Sequence, residues 1–257
     1  MRLAVQLGSR VEATPGGRAA CPGCAEPVVA KCGELVTWHW AHASGRTDCD
    51  PWWEPETPWH REWKSHAPLE RQEVVRGSHR ADVVLPDGYV IELQHSPISP
   101  EEIREREAFY GRMAWLFDAR DAWSARRLMF PACGSCLGSG MYRHYDGHES
   151  NEYPCSACLR GSPPVPNGAN DLSVWRWAKR GWLTATKPIL IDCGPHLLRV
   201  VTMRGGSPTL FIARRCATAE IARWFATGDA PGAHREHPRQ REHARAATGT
   251  GRQARHR

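Results

Sequence analysis

The chain has no long hydrophobic run: nothing in its 257 residues approaches the ~18 consecutive apolar positions of a membrane helix. The opening Met1-Arg2-Leu3-Ala4-Val5-Gln6-Leu7 lacks the apolar stretch of a secretory signal. A cytoplasmic protein without a membrane segment is therefore expected. There is no Walker loop and no dinucleotide fingerprint, which removes the P-loop nucleotidases and Rossmann oxidoreductases from consideration. Internal repeats are missing as well, apart from paired cysteine knuckles. Basic charge is scarce outside one place: of a net +6, the stretch from His234 to Arg257 carries seven arginines against Glu236 and Glu242. The remainder is close to neutral.

That tail is rich in Pro, Gly, Gln and Ala and poor in large apolar residues, so it cannot bury enough surface to order itself. Residues 231–257 are expected to be a disordered basic arm, with Arg235, Arg239, Arg241 and Arg245 meeting nucleic-acid phosphates through counterion release. With 41% hydrophobic residues, the rest can pack a core.

Ten cysteines, most of them in knuckles, point to metal rather than disulfides in a cytosolic chain. The first set is Cys21-Pro22-Gly23-Cys24 followed by His39-Trp40-Ala41-His42. Two thiolates and two imidazoles suit tetrahedral structural zinc at Cys21, Cys24, His39 and His42, with Cys32 and Cys49 as alternatives for the fourth ligand. The second set, Cys133, Cys136, Cys155 and Cys158, forms two C-x2-C knuckles and predicts a four-thiolate zinc module inserted over 129–165. Cys193 and Cys216 read as small core residues.

Between these sets lies a hairpin. Arg80-Ala81-Asp82-Val83-Val84-Leu85 and Tyr89-Val90-Ile91-Glu92-Leu93-Gln94 flank Pro86-Asp87-Gly88, a turn whose glycine supplies positive φ. Asp82, Glu92 and Gln94 offer oxygen ligands on one face, a site for Mg²⁺ or Mn²⁺. Upstream, Thr57 caps a helix begun by Pro58, with His60 and Lys64 on one face. A strand is predicted over 70–75, between that helix and the hairpin, and beyond the hairpin a helix of about fourteen residues from Pro100. That helix is expected to turn Ile103, Phe109, Tyr110 and Met113 inward and to leave Glu101, Arg104, Glu105 and Arg106 wet. A buried strand, Ala114 to Asp118, follows. The order is helix, three strands, helix, strand.

Residues 21 to 118 resemble the CoiA-like competence proteins, a branch of the PD-(D/E)xK nuclease superfamily. CPGC, HWAH, the H-x2-W-K helix at 60–64, RADV at 80–83 and IELQHSPIS…EREAFY carry the resemblance. Lys187 to Gly194 and Leu197 to Val200 look like the family's C-terminal strand pair. The resemblance implies an α/β, restriction-endonuclease-like core (αβββαβ, mixed sheet) with small zinc-binding modules. The expected divisions are a zinc knuckle over 1–50, a nuclease core over 51–128, the insertion, and a strand and helix part over 166–230. It implies a metal-dependent phosphodiesterase acting on DNA in uptake or recombination, with proteins of those processes as partners. Asp82 and Glu92 would hold Mg²⁺ or Mn²⁺, and Gln94 stands where the superfamily usually has Lys. The helix acid falls on Glu56 or Glu62, with Glu56 ahead, and His60 and Lys64 become phosphate or water contacts. A neutral amide cannot accept a proton, so a catalytically silent DNA-binding or assembly factor on the same fold is the alternative.

Overall fold

The computed structural model describes residues 1–44, 49–129, 170–175, 178–179, 181–204 and 209–231. The first 42 residues form an antiparallel sheet from β1 (Leu3–Gln6), β2 (Ser9–Glu12), β3 (Arg18–Ala20), β4 (Pro27–Lys31) and β5 (His39–His42), in the order β2-β1-β3-β4-β5. Its small core is built on Ala4, Val28 and Trp40. Backbone N–H groups of Arg2 and Leu3 donate to the Glu73 carboxylate at 2.8–3.0 Å, which fastens this sheet to the larger one.

The larger sheet has nine strands: β6 (Gln72–Arg76), β7 (His79–Val84), β8 (Val90–Gln94), β9 (Met113–Asp118), β10 (Leu128–Met129), β11 (Asn170–Trp175), β12 (Ile189–Asp192), β13 (Leu197–Arg204) and β14 (Thr209–Cys216). Their order is β10-β11-β14-β13-β12-β9-β8-β7-β6. The sheet is mixed: β8 and β12 run parallel to β9 on either side, and the other pairs are antiparallel. Helix α1 (Pro58–Lys64) and helix α4 (Thr218–Thr227) cover one face through Trp59, Trp63, Ile221 and Phe225. Helix α2 (Pro100–Tyr110) covers the other through Ile103, while the short α3 (Arg120–Ser124) follows β9. Cys193 and Cys216 are both buried. The strands after residue 170 complete the sheet that the hairpin begins.

Local chemistry explains the elements that frame the pocket. In the β7–β8 turn, Gly88 has φ of +80°, and its N–H donates to the Leu85 carbonyl at 2.9 Å. Helix α1 starts with a reciprocal cap, in which Thr57 Oγ1 accepts from the His60 N–H and His60 Nδ1 accepts from the Thr57 N–H. The indole N–H groups of Trp59 and Trp63 both donate to Asp192 Oδ2 at 2.8 Å, so the helix hangs on the far end of β12.

Three expectations need correction. The strand predicted from residue 70 begins at Gln72, because Leu69–Arg71 forms a single 3-10 turn. Helix α2 spans 11 residues rather than fourteen, ending where Gly111 adopts φ of +66°. Its faces also differ from the predicted stripe: Arg106 and Glu107 are buried and Phe109 is 44% exposed. Arg106 lies three positions from the buried Ile103 and is drawn inward by a carboxylate partner on β8.

Candidate functional site

The N-terminal sheet gathers four metal-ligating side chains. Cys21, Cys24, His42 and Cys49 place their ligand atoms within 4.8 Å of one another. Cys21 Sγ lies 3.6 Å from Cys49 Sγ, and Cys24 Sγ lies 3.3 Å from His42 Nε2. Bonds of ~2.3 Å in tetrahedral geometry separate two sulfurs by ~3.8 Å, so the set can bind zinc. Gly23 fits this crowding: its N–H donates to Cys21 Sγ at 3.4 Å, and an added Cβ would stand 3.3 Å from Cys49 Sγ. The expected ligand His39 is replaced by Cys49. HWAH is a strand, so positions three apart face opposite sides. His42 turns inward, while His39 Nδ1 bonds the Thr37 carbonyl at 2.8 Å. The second cysteine set (Cys133, Cys136, Cys155, Cys158) and the tail residues Arg235, Arg239, Arg241 and Arg245 lie outside the described residues.

A polar cavity of about 40 Å³ sits where α1, β7 and β8 meet; Glu54, Glu56, His60, Lys64, Asp82 and Glu92 are among its walls. Asp82 Oδ1 is 2.9 Å from Lys64 Nζ, and Oδ2 accepts from the Leu93 N–H at 2.9 Å. Glu92 Oε1 accepts from the Asp82 N–H at 3.3 Å, and Oε2 pairs with Arg106 Nη1 at 3.0 Å. Burial, helped by the neighbouring Asp82 charge, pushes the Glu92 carboxyl up to about 8 against the pull of Arg106. Lys64 also faces Glu73 at 3.3 Å and Glu56 at 3.6 Å. Burial alone would lower its pKa, but Asp82, Glu73 and Glu56 together outweigh burial and hold the amine above its ordinary value.

Glu56 lines the cavity with both carboxylate oxygens buried and, among the described residues, without a hydrogen-bond partner. Glu62, the other candidate helix acid, is 68% exposed and faces Arg120 at 3.9 Å. Gln94 is buried but does not line the cavity: its Nε2 donates to Glu54 Oε2 and to the Ser96 carbonyl, each at 3.1 Å, and its Oε1 has no hydrogen-bond partner among the described residues. Glu54 ties these pieces together. It accepts from His60 Nε2–H at 2.7 Å, from Gln94, and from the backbone N–H groups of His95 and Ser96. Burial would raise its pKa, yet the His60 bond and the two backbone donors hold it at about 2.

Three residues central to this arrangement escaped the sequence reading. Glu54 stands in an aperiodic Pro- and Trp-rich connector. Glu73, buried at φ of +48°, interrupts β6. Arg106 carries only the signal of a charge on a helix three positions beyond a core isoleucine.

Residues 17–50 match the family model described as the N-terminal domain of the competence protein CoiA. That stretch holds all four residues of the cysteine and histidine cluster. No curated protein and no solved structure matches the chain. Among the described residues, no helix is long and apolar enough to cross a membrane.

Proposed function

We propose that the chain is a CoiA-like, PD-(D/E)xK-type nuclease that hydrolyses phosphodiester bonds in DNA with Mg²⁺ or Mn²⁺, and that it serves DNA uptake or recombination. The observation that carries this reading is the convergence of Asp82, Glu92 and the hydrogen-bond-free Glu56 carboxylate on one buried polar cavity. Such a donor set suits a hard cation, and these three residues would hold it. The run α1, β6, β7, β8, α2, β9 supports the nuclease reading with the expected order of elements. When bound, the metal supplies Lewis acidity and a more acidic water.

The chain's own groups bind and orient. Lys64 stays charged, so it stabilises negative charge and cannot serve as the base. Gln94 and Glu54 fix the start of α1 against the end of β8. His60 cannot accept a proton at Nε2, because Thr57 fixes its tautomer and Nε2–H is spent on Glu54.

A second reading has its own observation: Asp82 and Glu92 are already engaged by Lys64 at 2.9 Å and by Arg106 at 3.0 Å. A pocket satisfied from within suits a DNA-binding or assembly factor that keeps the fold without hydrolysis. Purified protein with excess Mg²⁺ and Mn²⁺ on a panel of DNA and RNA separates the two. Asp82→Asn and Glu92→Gln should each abolish cleavage while the zinc content stays unchanged. If the unmodified protein cleaves nothing, or Asp82→Asn cleaves equally well, the binding factor is the better description.

A further inference from the structure

A second cavity, of about 200 Å³, opens at the C-terminal ends of β8 and β9. His95 and Lys179 form part of its wall, with Asp118, Arg127 and Trp175. Two observations mark it as built for an occupant. Trp175 is 3% exposed, yet its indole N–H, a group that can only donate, has no hydrogen-bond partner among the described residues. The guanidinium of Arg127 makes no ion pair among the described residues, and Lys179 Nζ, which donates to the His95 carbonyl at 2.6 Å, keeps further N–H donors.

The acids in the wall leave these donors usable. Asp118 is spent: Arg120 grips its two oxygens at 3.0 and 3.1 Å, and His95 Nδ1 bonds Oδ2 at 2.9 Å. That bond orients the His95 ring, and its Nε2 makes no hydrogen bond among the described residues. Asp121 is exposed, and its negative charge favours the charged form of the Lys179 amine. What remains is the donor set of Lys179, Arg127 and the Trp175 N–H, the complement of a tetrahedral oxyanion. Pro97, Ala119 and Ala122 give the cavity a small apolar flank.

We propose that this cavity is a phosphate-binding subsite, in which Lys179, Arg127 and the Trp175 N–H hold a phosphate group of a nucleotide or of a nucleic-acid strand. The subsite goes beyond hydrolysis at Asp82 and Glu92 and stands whether or not that pocket is catalytic.

Calorimetric titration without added divalent cations tests it. The probes are inorganic phosphate, a 5′-phosphorylated tetrathymidylate and the same oligonucleotide lacking the terminal phosphate. The phosphorylated probe should bind the unmodified protein and Asp82→Asn alike, and inorganic phosphate should compete with it. Lys179→Gln/Arg127→Gln should weaken binding at least ~10-fold, and Trp175→Phe, which keeps the ring and removes the donor, about fivefold, one neutral hydrogen bond. Both cations are only partly buried, so the double variant should melt with the unmodified protein. Preference for the phosphorylated oligonucleotide assigns the subsite to strand ends; equal binding of both assigns it to internal phosphates. The proposal is overturned if no probe binds. It also fails if the double variant and Trp175→Phe bind undiminished, which points to the arginine tail, or if Asp82→Asn loses binding, which points to the carboxylate pocket.

Discussion

Replacing Lys64 by Met keeps the aliphatic stem in its packed place and removes one charge from the centre of the carboxylate pocket. Three carboxylates then face one another without it: Asp82 at 2.9 Å, Glu73 at 3.3 Å and Glu56 at 3.6 Å from the present Nζ. Breaking a buried pair by deleting one partner costs about 3–5 kcal/mol. For a domain of this size each kcal/mol lowers Tm by roughly 2–4 °C, so Lys64→Met should melt roughly 6–20 °C below the unmodified protein. Thermal denaturation followed by circular dichroism, at pH 7.5 without added divalent cations, reads the shift. Asp82→Asn in the Lys64→Met background should recover part of the loss, since one of the clustered charges is gone. A Lys64→Met protein that melts within about 2 °C of the unmodified one would refute the argument that this amine holds the pocket together.

Metal analysis should find that Cys49→Ala loses one zinc equivalent and His39→Ala loses none, with a lower melting temperature only for the former. Burial pushes the Glu92 carboxyl from its ordinary value of 4.5 up to about 8 in the folded protein. The folded state therefore binds more protons between those values, and metal-free stability should fall as pH rises from about 5 to 8. Glu92→Gln should flatten that slope in the same melts. Asp192→Ala strands the buried indole N–H groups of Trp59 and Trp63, at a cost of roughly 2–6 kcal/mol by chemical denaturation.

Local rules carried the reading where the chemistry was local. The Asp-Gly turn, the Thr-Pro helix start and the strand after α2 follow from backbone preferences that hold without tertiary context. Cys21, Cys24 and His42 were legible from spacing. The fourth ligand was not, because the choice between His39 and Cys49 depends on HWAH being a strand, and spacing rules for knuckles do not encode strand alternation. Arg106 and Phe109 exchanged their expected environments for a similar reason. Amphipathicity assigns charge to water, and only the position of Glu92 on the neighbouring strand makes an inward arginine favourable. Glu54 joins four donors from two distant segments, and no periodicity in a proline-rich connector announces such a hub.

The bond between Trp59 and Asp192 spans 133 positions of sequence. During synthesis at roughly 5–20 residues per second, the helix that carries His60 and Lys64 leaves the ribosome about 7 to 27 s before its anchor does. A nascent chain thus has the pocket's side chains long before it has the strand from which that helix hangs.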